Sequence, residues 1–153
     1  MVRAGTEMEH LFAEKDGFVI STDPERLQPE VILGYLVNES YWAANRTEDQ
    51  MRAAIENSLC FGLYRSGEQV GFARVVTDYS TFAYLGDVFI LPDLQGRGLG
   101  KWLMEIISAH PALQGFRRWV LATRDAHKLY EKYGFTSLKH PERWMEKAAP
   151  DAY

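Results

Sequence analysis

The sequence predicts an α+β fold with a mixed, mostly antiparallel sheet flanked by helices, and three observations carry that prediction. Three β-rich segments, "SLCFGLYRSG", "EQVGFARVVTD" and "TFAYLGDVFILP", follow one another, the first two joined by a short turn at Ser66 and Gly67. Stretches with apolar residues at helical spacing stand on both sides of this meander. At 153 residues, 46% hydrophobic and 25% charged, the chain has enough apolar surface for one core and too little length for two domains.

Residues 1–16 show little periodicity and read as a mobile tail, so the domain is expected to run from 17 to 153, opening on a short strand "GFVIST". In "QPEVILGYLVNES", Val31, Ile32, Tyr35 and Leu36 make a helical face, and "TEDQMRAAIENS" starts a second helix with Thr47 as N-cap and acidic residues in its first turn. The meander comes next. Leu99, Trp102, Leu103, Ile106, Ile107 and His110 then form one face of a helix that Pro111 ends. "RRWVLAT" reads as a strand, Asp125 is placed to cap a helix "AHKLYEKY" that Gly134 terminates, and "FTSL" and "ERWMEK" read as closing strands.

Composition narrows the function. A formal charge of -4 disfavours duplex nucleic acid, whose binders neutralise phosphates with Lys and Arg, and would better steer a cationic partner. The single cysteine, Cys60, allows no intramolecular disulfide and no cysteine-only metal site, and it sits in an apolar strand where a free thiol packs. His10, His110, His127 and His140 show no metal-ligand spacing, so no metal is expected. No apolar run reaches the ~18 residues of a membrane helix, and the first residues are too charged for a signal peptide. A soluble, cytoplasmic protein with no membrane or nucleic-acid partner is the expectation.

"LPDLQGRGLGKW" sets glycines at 96, 98 and 100 between a strand and a helix. Each glycine in regular structure costs roughly 0.5 to 1 kcal/mol, and what it allows in exchange is positive φ and close approach of another molecule to the backbone. The dinucleotide pattern G-x-G-x-x-G is met weakly because Lys101 stands where its last glycine belongs; a nucleotide-binding oxidoreductase would need that glycine and would show cofactor absorbance. The P-loop pattern fails at Gln95 and Trp102. What remains is Gln95-Gly96-Arg97-Gly98-Leu99-Gly100-Lys101 leading into a helix whose free N–H groups can cradle a pyrophosphate without a metal.

These residues resemble the GCN5-related N-acetyltransferases (GNAT), whose signature [QR]-x-x-G-x-[GA] is met by Gln95, Gly98 and Gly100. "AHKLYEKYGF" is similar to a second family segment, and the element order agrees over roughly residues 18 to 147. The resemblance implies the three-layer GNAT fold and acetyl-CoA as acetyl donor, held where two central strands splay apart. It gives Val88, Phe89 and Ile90 the role of offering backbone groups to the pantetheine arm, with the Val88 N–H also holding the oxyanion. Tyr130 aligns with the acid that protonates the leaving thiolate, although a tyrosine at helical spacing with Ala126 and Leu129 also serves a core. Ala126 keeps the family's small residue facing the cofactor. Thr123 stands where the family often has an asparagine on the pantetheine, with shorter reach.

A primary amine with a pKa of ~10.4 is mostly protonated at neutral pH, a handicap of ~4.6 kcal/mol, so a base or water chain is required. Asp87 and Tyr84, just before the cofactor strand, and Asp78, ending the preceding one, are the candidates. "SYWAAN" and "DYSTFAY" place aromatics near the expected acceptor site. The resulting expectation is an acetyl-CoA-dependent N-acetyltransferase acting by direct attack in a ternary complex on a small-molecule or peptide amine, with a homodimer left open. The alternative is an acyl-CoA-binding sensor of the same fold without turnover.

Overall fold

The computed structural model describes residues 9–40, 42–150 and 152. Asp16 and Gly17 both adopt positive φ, 51° and 84°, the requirement of a two-residue turn matched to strand twist. That turn folds strand β1 (Phe12–Lys15) onto β2 (Phe18–Ser21), pairing Lys15 with Phe18 and Phe12 with Ser21. Residues 12–15 are therefore a strand and not tail, a correction that the Asp-Gly pair signals; residues 1–8 lie outside the described residues.

Helix α1 (Pro29–Asn38) has proline in its first turn, and α2 (Glu48–Glu56) opens with a capping box in which Thr47 and Gln50 each bond the other's backbone N–H. Strands β3 (Leu59–Arg65), β4 (Glu68–Thr77) and β5 (Phe82–Ile90) form the expected meander, with Ser66 and Gly67 at φ 51° and 81° in the first turn. Helix α3 (Leu99–Ala109) then crosses over to β6 (Arg118–Leu121), followed by α4 (His127–Glu131). The six strands lie in chain order, antiparallel up to β5 and parallel between β5 and β6.

Helices cover both faces of the sheet. Leu99, Trp102, Leu103 and Ile107 of α3 pack with Phe61, Leu63, Val75, Ala83 and Leu85, while Ile32, Leu36 and Met51 of α1 and α2 pack with Cys60, Phe72 and Phe89. Burial of each large side chain contributes roughly 1.5 to 3 kcal/mol. Cys60 belongs to this second layer, and burial pushes its thiol up to about 12, so it is an inert core residue.

Strand β5 changes faces midway. Phe72 pairs with Phe89 and Arg74 with Gly86, so Asp87 and Val88 together oppose Ala73, a β-bulge with Asp87 at φ 54°. Before it, Ala83 and Leu85 face α3; after it, Val88 and Ile90 do, and Phe89 turns to α1.

The expected closing strands do not form. Residues 135–138 and 142–147 make no sheet pairs; Pro141, which lacks an N–H, starts a 3-10 turn through Arg143. A cavity of ≈ 900 Å³ lies between β6 and this segment, lined among others by Arg117, Arg118, Lys139, Arg143, Trp119 and Trp144.

His110, 3% exposed, ends α3: its Nδ1 accepts the Ala112 N–H at 3.0 Å, its ring meets Phe61 edge-on, and its Nε2 has no oxygen or nitrogen partner among the described residues. Burial lowers its pKa below 6.5. A depressed imidazole pKa contributes stability that is fully present above 6.5 and is lost as pH falls toward the folded value. Thermal melts at pH 7.5 and 5.5 are expected to show a loss for the wild type that His110→Asn does not share; parallel losses would refute the assignment.

Candidate active site

The glycine stretch does what its composition suggests. Gly96 and Gly98 sit at φ 82° and 80°, and a Cβ at either would meet nothing within 4 Å, so the turn leaves open space over its backbone. Gly98 is the N-cap of α3 with no side-chain cap, leaving the first N–H groups, those of Leu99, Gly100 and Lys101, directed outward at the positive end of an eleven-residue helix. Gln95 holds the turn to the sheet by donating Nε2–H to the Ile90 carbonyl at 2.9 Å. Arg97 and Gly100 complete the loop, and a Cβ at Gly100 would lie 4.0 Å from Leu129 of α4.

Next to the turn, β5 and β6 part. Their pairing runs from Phe82↔Arg118 to Leu85↔Leu121 and then ends. The Leu91 N–H bonds the Val70 carbonyl, which places the Phe89 backbone on the β4 edge and that of Ile90 on the edge facing the gap. A cavity of ≈ 120 Å³ occupies the gap, and its lining includes Tyr84, Asp87, Val88, Thr123, Ala126 and Tyr130. The larger cavity beyond β6 shares no residue with it. Six residues singled out from sequence thus converge on one space.

Tyr130 is 8% exposed, edge-on to Phe135 at 6.1 Å, and is part of the α3-side core as well as of the cavity wall. Thr123 accepts the Ala126 N–H at 3.0 Å in the turn before α4, where Ala126 is the N-cap without a side-chain cap, so the cap expected of Asp125 does not form; the Thr123 hydroxyl proton is left to donate elsewhere. Tyr84 is half-buried on the cavity wall with its ring 3.0 Å from the Cβ position of Gly86.

Asp87, a candidate base by its position, is held in a hydrogen-bonded ion-pair cluster. Its carboxylate, 1% exposed, accepts from Trp42 Nε1 at 2.9 Å, from Arg46 Nη1 at 2.8 and 2.7 Å, and from Arg74 Nε at 2.8 Å. Burial alone would raise its pKa; the guanidinium groups of Arg74 and Arg46 outweigh burial and hold it below the ordinary carboxylate value. A carboxylate so held accepts protons poorly. Asp78 is likewise spent on a turn, accepting from Ser80, Thr81 and Phe82, bonds that depress its pKa strongly.

Sequence reasoning missed Arg46 and Arg74. They come from the α1–α2 connection and from β4, and their only common signal is polar or amphipathic side chains beside apolar runs. Of the two aromatic clusters, Trp42 and Tyr84 line the gap cavity, whereas Tyr41 lies outside the described residues.

Comparison with known proteins agrees with this geometry. The model of the acetyltransferase (GNAT) domain matches residues 56–137. A Gibberella zeae protein named as a candidate acetyltransferase is 38% identical over 137 residues, covering 75% of this chain and 76% of its own. The crystal structure of a candidate GNAT acetyltransferase from Xanthomonas campestris superposes with a TM-score of 0.87 at 47% identity, covering 90% of this chain and 97% of that one. A candidate acetyltransferase from Clostridium acetobutylicum, solved with acetyl-CoA, shares the fold at a TM-score of 0.63 and 13% identity, covering 86% of this chain and 94% of that one. The splayed sheet, the glycine turn and these matches agree, and the chain belongs to the GNAT family of acetyltransferases, a group of acyltransferase enzymes.

Proposed function

We propose that the protein is an N-acetyltransferase that moves the acetyl group of acetyl-CoA to a primary amine by direct attack in a ternary complex. One observation carries the reading: the gap between β5 and β6 brings Val88 and Tyr130 to the same cavity beside the glycine turn. The turn fits the donor, because Gly96 and Gly98 leave open the space an anion needs and the start of α3 is uncapped.

Acetyl-CoA supplies the activated acetyl thioester. The N–H groups of residues 96–101 hold the pyrophosphate, and the gap edge of β5 holds the pantetheine, with Ile90 and Val88 contributing by alternation and Phe89 anchoring the strand to β4. Ala126 leaves room for the arm, and Thr123 can donate its hydroxyl proton toward it. The Val88 N–H faces the developing negative charge of the carbonyl oxygen, an effect worth ~3 kcal/mol for one well-placed donor. Tyr130 donates its phenolic proton to the departing sulfur. With Asp87 and Asp78 both engaged, Tyr84 and a water chain are left to take the amine's proton. The domain so defined begins at β1, and the reading has it cytoplasmic, without metal, membrane or nucleic-acid partners. Among the described residues no helix is long and apolar enough to cross a membrane.

The test is acetyl-CoA consumption across an amine panel; binding without turnover would favour the sensor reading. CoA is also expected to raise the melting temperature, by the equivalent of about 2.7 kcal/mol at a hundredfold excess over Kd, while NAD does not. Equal shifts from NAD would contradict the cradle. A matched pair isolates the pyrophosphate. Asn and Asp both tolerate the positive φ of Gly98 and have nearly the same shape, so they differ mainly in charge. Gly98→Asp is expected to bind CoA about tenfold or more weakly than Gly98→Asn, from repulsion of roughly 1 to 4 kcal/mol at ~4 Å. Equal affinities by calorimetry would remove the pyrophosphate from this turn.

A further inference from the structure

Behind the inner wall of the β5–β6 cavity lies a cluster of two guanidinium groups and one carboxylate, of which Arg46 and Asp87 reach the lining. Asp87 accepts four hydrogen bonds, which fill both of its oxygens, and its single charge lies between two guanidinium groups. Arg74 is the inner of the two, 12% exposed, with Nε on Asp87 and Nη1 on Ser58. Arg46 is 30% exposed and lines the cavity. Only its Nη1 is engaged, by Asp87 and the Met51 sulfur; among the described residues Nε and Nη2 have no partner. Those two nitrogens form one edge of the guanidinium, the geometry that takes a carboxylate through two parallel hydrogen bonds.

We propose that the amine accepted by this site also carries a carboxylate, bound by the free edge of Arg46; the proposal rests on the N-acetyltransferase reading above. Asp87 presents the guanidinium and fixes its plane. An acceptor whose only charge is its ammonium would meet the Arg46 guanidinium on the lining, with the Asp87 charge already shared between Arg46 and Arg74, which stands behind it. Asp125, the other carboxylate on the lining, is solvent-exposed and belongs to the β6–α4 side, where water screens it. The excess charge also disfavours the ammonium form of the bound amine, which eases the deprotonation that attack requires. Locally, then, the site prefers the opposite sign from the one that the net charge of -4 would steer.

The experiment is steady-state acetylation of matched pairs by the full chain with acetyl-CoA: phenylalanine against phenylalaninamide, and β-alanine against β-alaninamide. The carboxylate member of at least one pair is expected to show a tenfold or greater advantage in kcat/KM, expressed mainly in KM, and Arg46→Met is expected to collapse that advantage to within about twofold. Equal rates in every pair, a preference for the amides, or a carboxylate preference that survives Arg46→Met would overturn the proposal. Should Arg46→Met not fold, Arg46→Lys keeps the charge near Asp87 and removes the two-nitrogen edge, with the same collapse expected. If no amine is acetylated, the enzyme reading fails by itself. Calorimetry of the same compounds on the CoA-saturated protein then decides the Arg46 site, since carboxylates that bind no better than their amides refute it.

Discussion

Replacement of Tyr130 by phenylalanine is expected to lower kcat by about 10² to 10⁴ while leaving acetyl-CoA affinity within a few-fold. The substitution keeps the ring that meets Phe135 at 6.1 Å and the packing among the α3-side core, and removes only the hydroxyl. Affinity is spared because the pyrophosphate and pantetheine contacts are assigned to backbone groups. The loss is smaller if water enters to replace the phenol as proton donor. Steady-state kinetics of both proteins with any accepted amine, alongside thermal melts, make the measurement. A folded variant with wild-type kcat would assign Tyr130 to packing alone.

Asp87→Asn is expected to have the largest effect on stability, about 3 kcal/mol or more, because it leaves two guanidinium groups without their counter-charge. Arg74, only 12% exposed, accounts for most of the loss, whereas Arg46 at 30% keeps some contact with water. Asparagine tolerates the positive φ of this position, so backbone strain is held constant. The urea midpoint should fall with little change in slope. The acid limb should change as well. The folded carboxyl titrates below its ordinary 3.8, so its stabilisation is complete above that value and is lost as pH falls through the lower folded one; the variant lacks that step. A variant within 1 kcal/mol of wild type would show that Trp42 and the arginines hold together without the charge.

The features legible in the sequence are those set by neighbours along the chain. The N-cap at Thr47, the turn at Ser66 and Gly67, and the glycine turn before α3 each rest on backbone needs met within a few residues. The Asp16-Gly17 hairpin carried the same kind of signal, and it was obscured by the polar residues around it. What could not be read were partnerships across distance: Asp87 with Arg74, 13 residues away, and with Arg46, 41 away. Any carboxylate ahead of the cofactor strand suggests a base, and only the two arginines turn it into an ion pair. The closing strands failed for a related reason. Their composition suits a strand, but a strand exists only where an edge accepts it, and no residue count supplies that edge.

The bulge at Asp87 and Val88 makes β5 one residue longer than the stretch of β4 it pairs with, and that extra residue separates the fold from the site. Loss of Asp87 would leave Val88 alone opposite Ala73, a regular pair, with Phe72 still opposite Phe89. Phe89 would stay stacked on Tyr35, with ring centroids now 4.1 Å apart, and Ile90 would stay in the layer of α3 with its carbonyl toward Gln95. What would go is the bend of the strand and the carboxylate between Arg46 and Arg74. One codon lost at this point would therefore spare the register of the sheet and cost the wall of the cavity, so the residue is one that the site requires and the sheet does not.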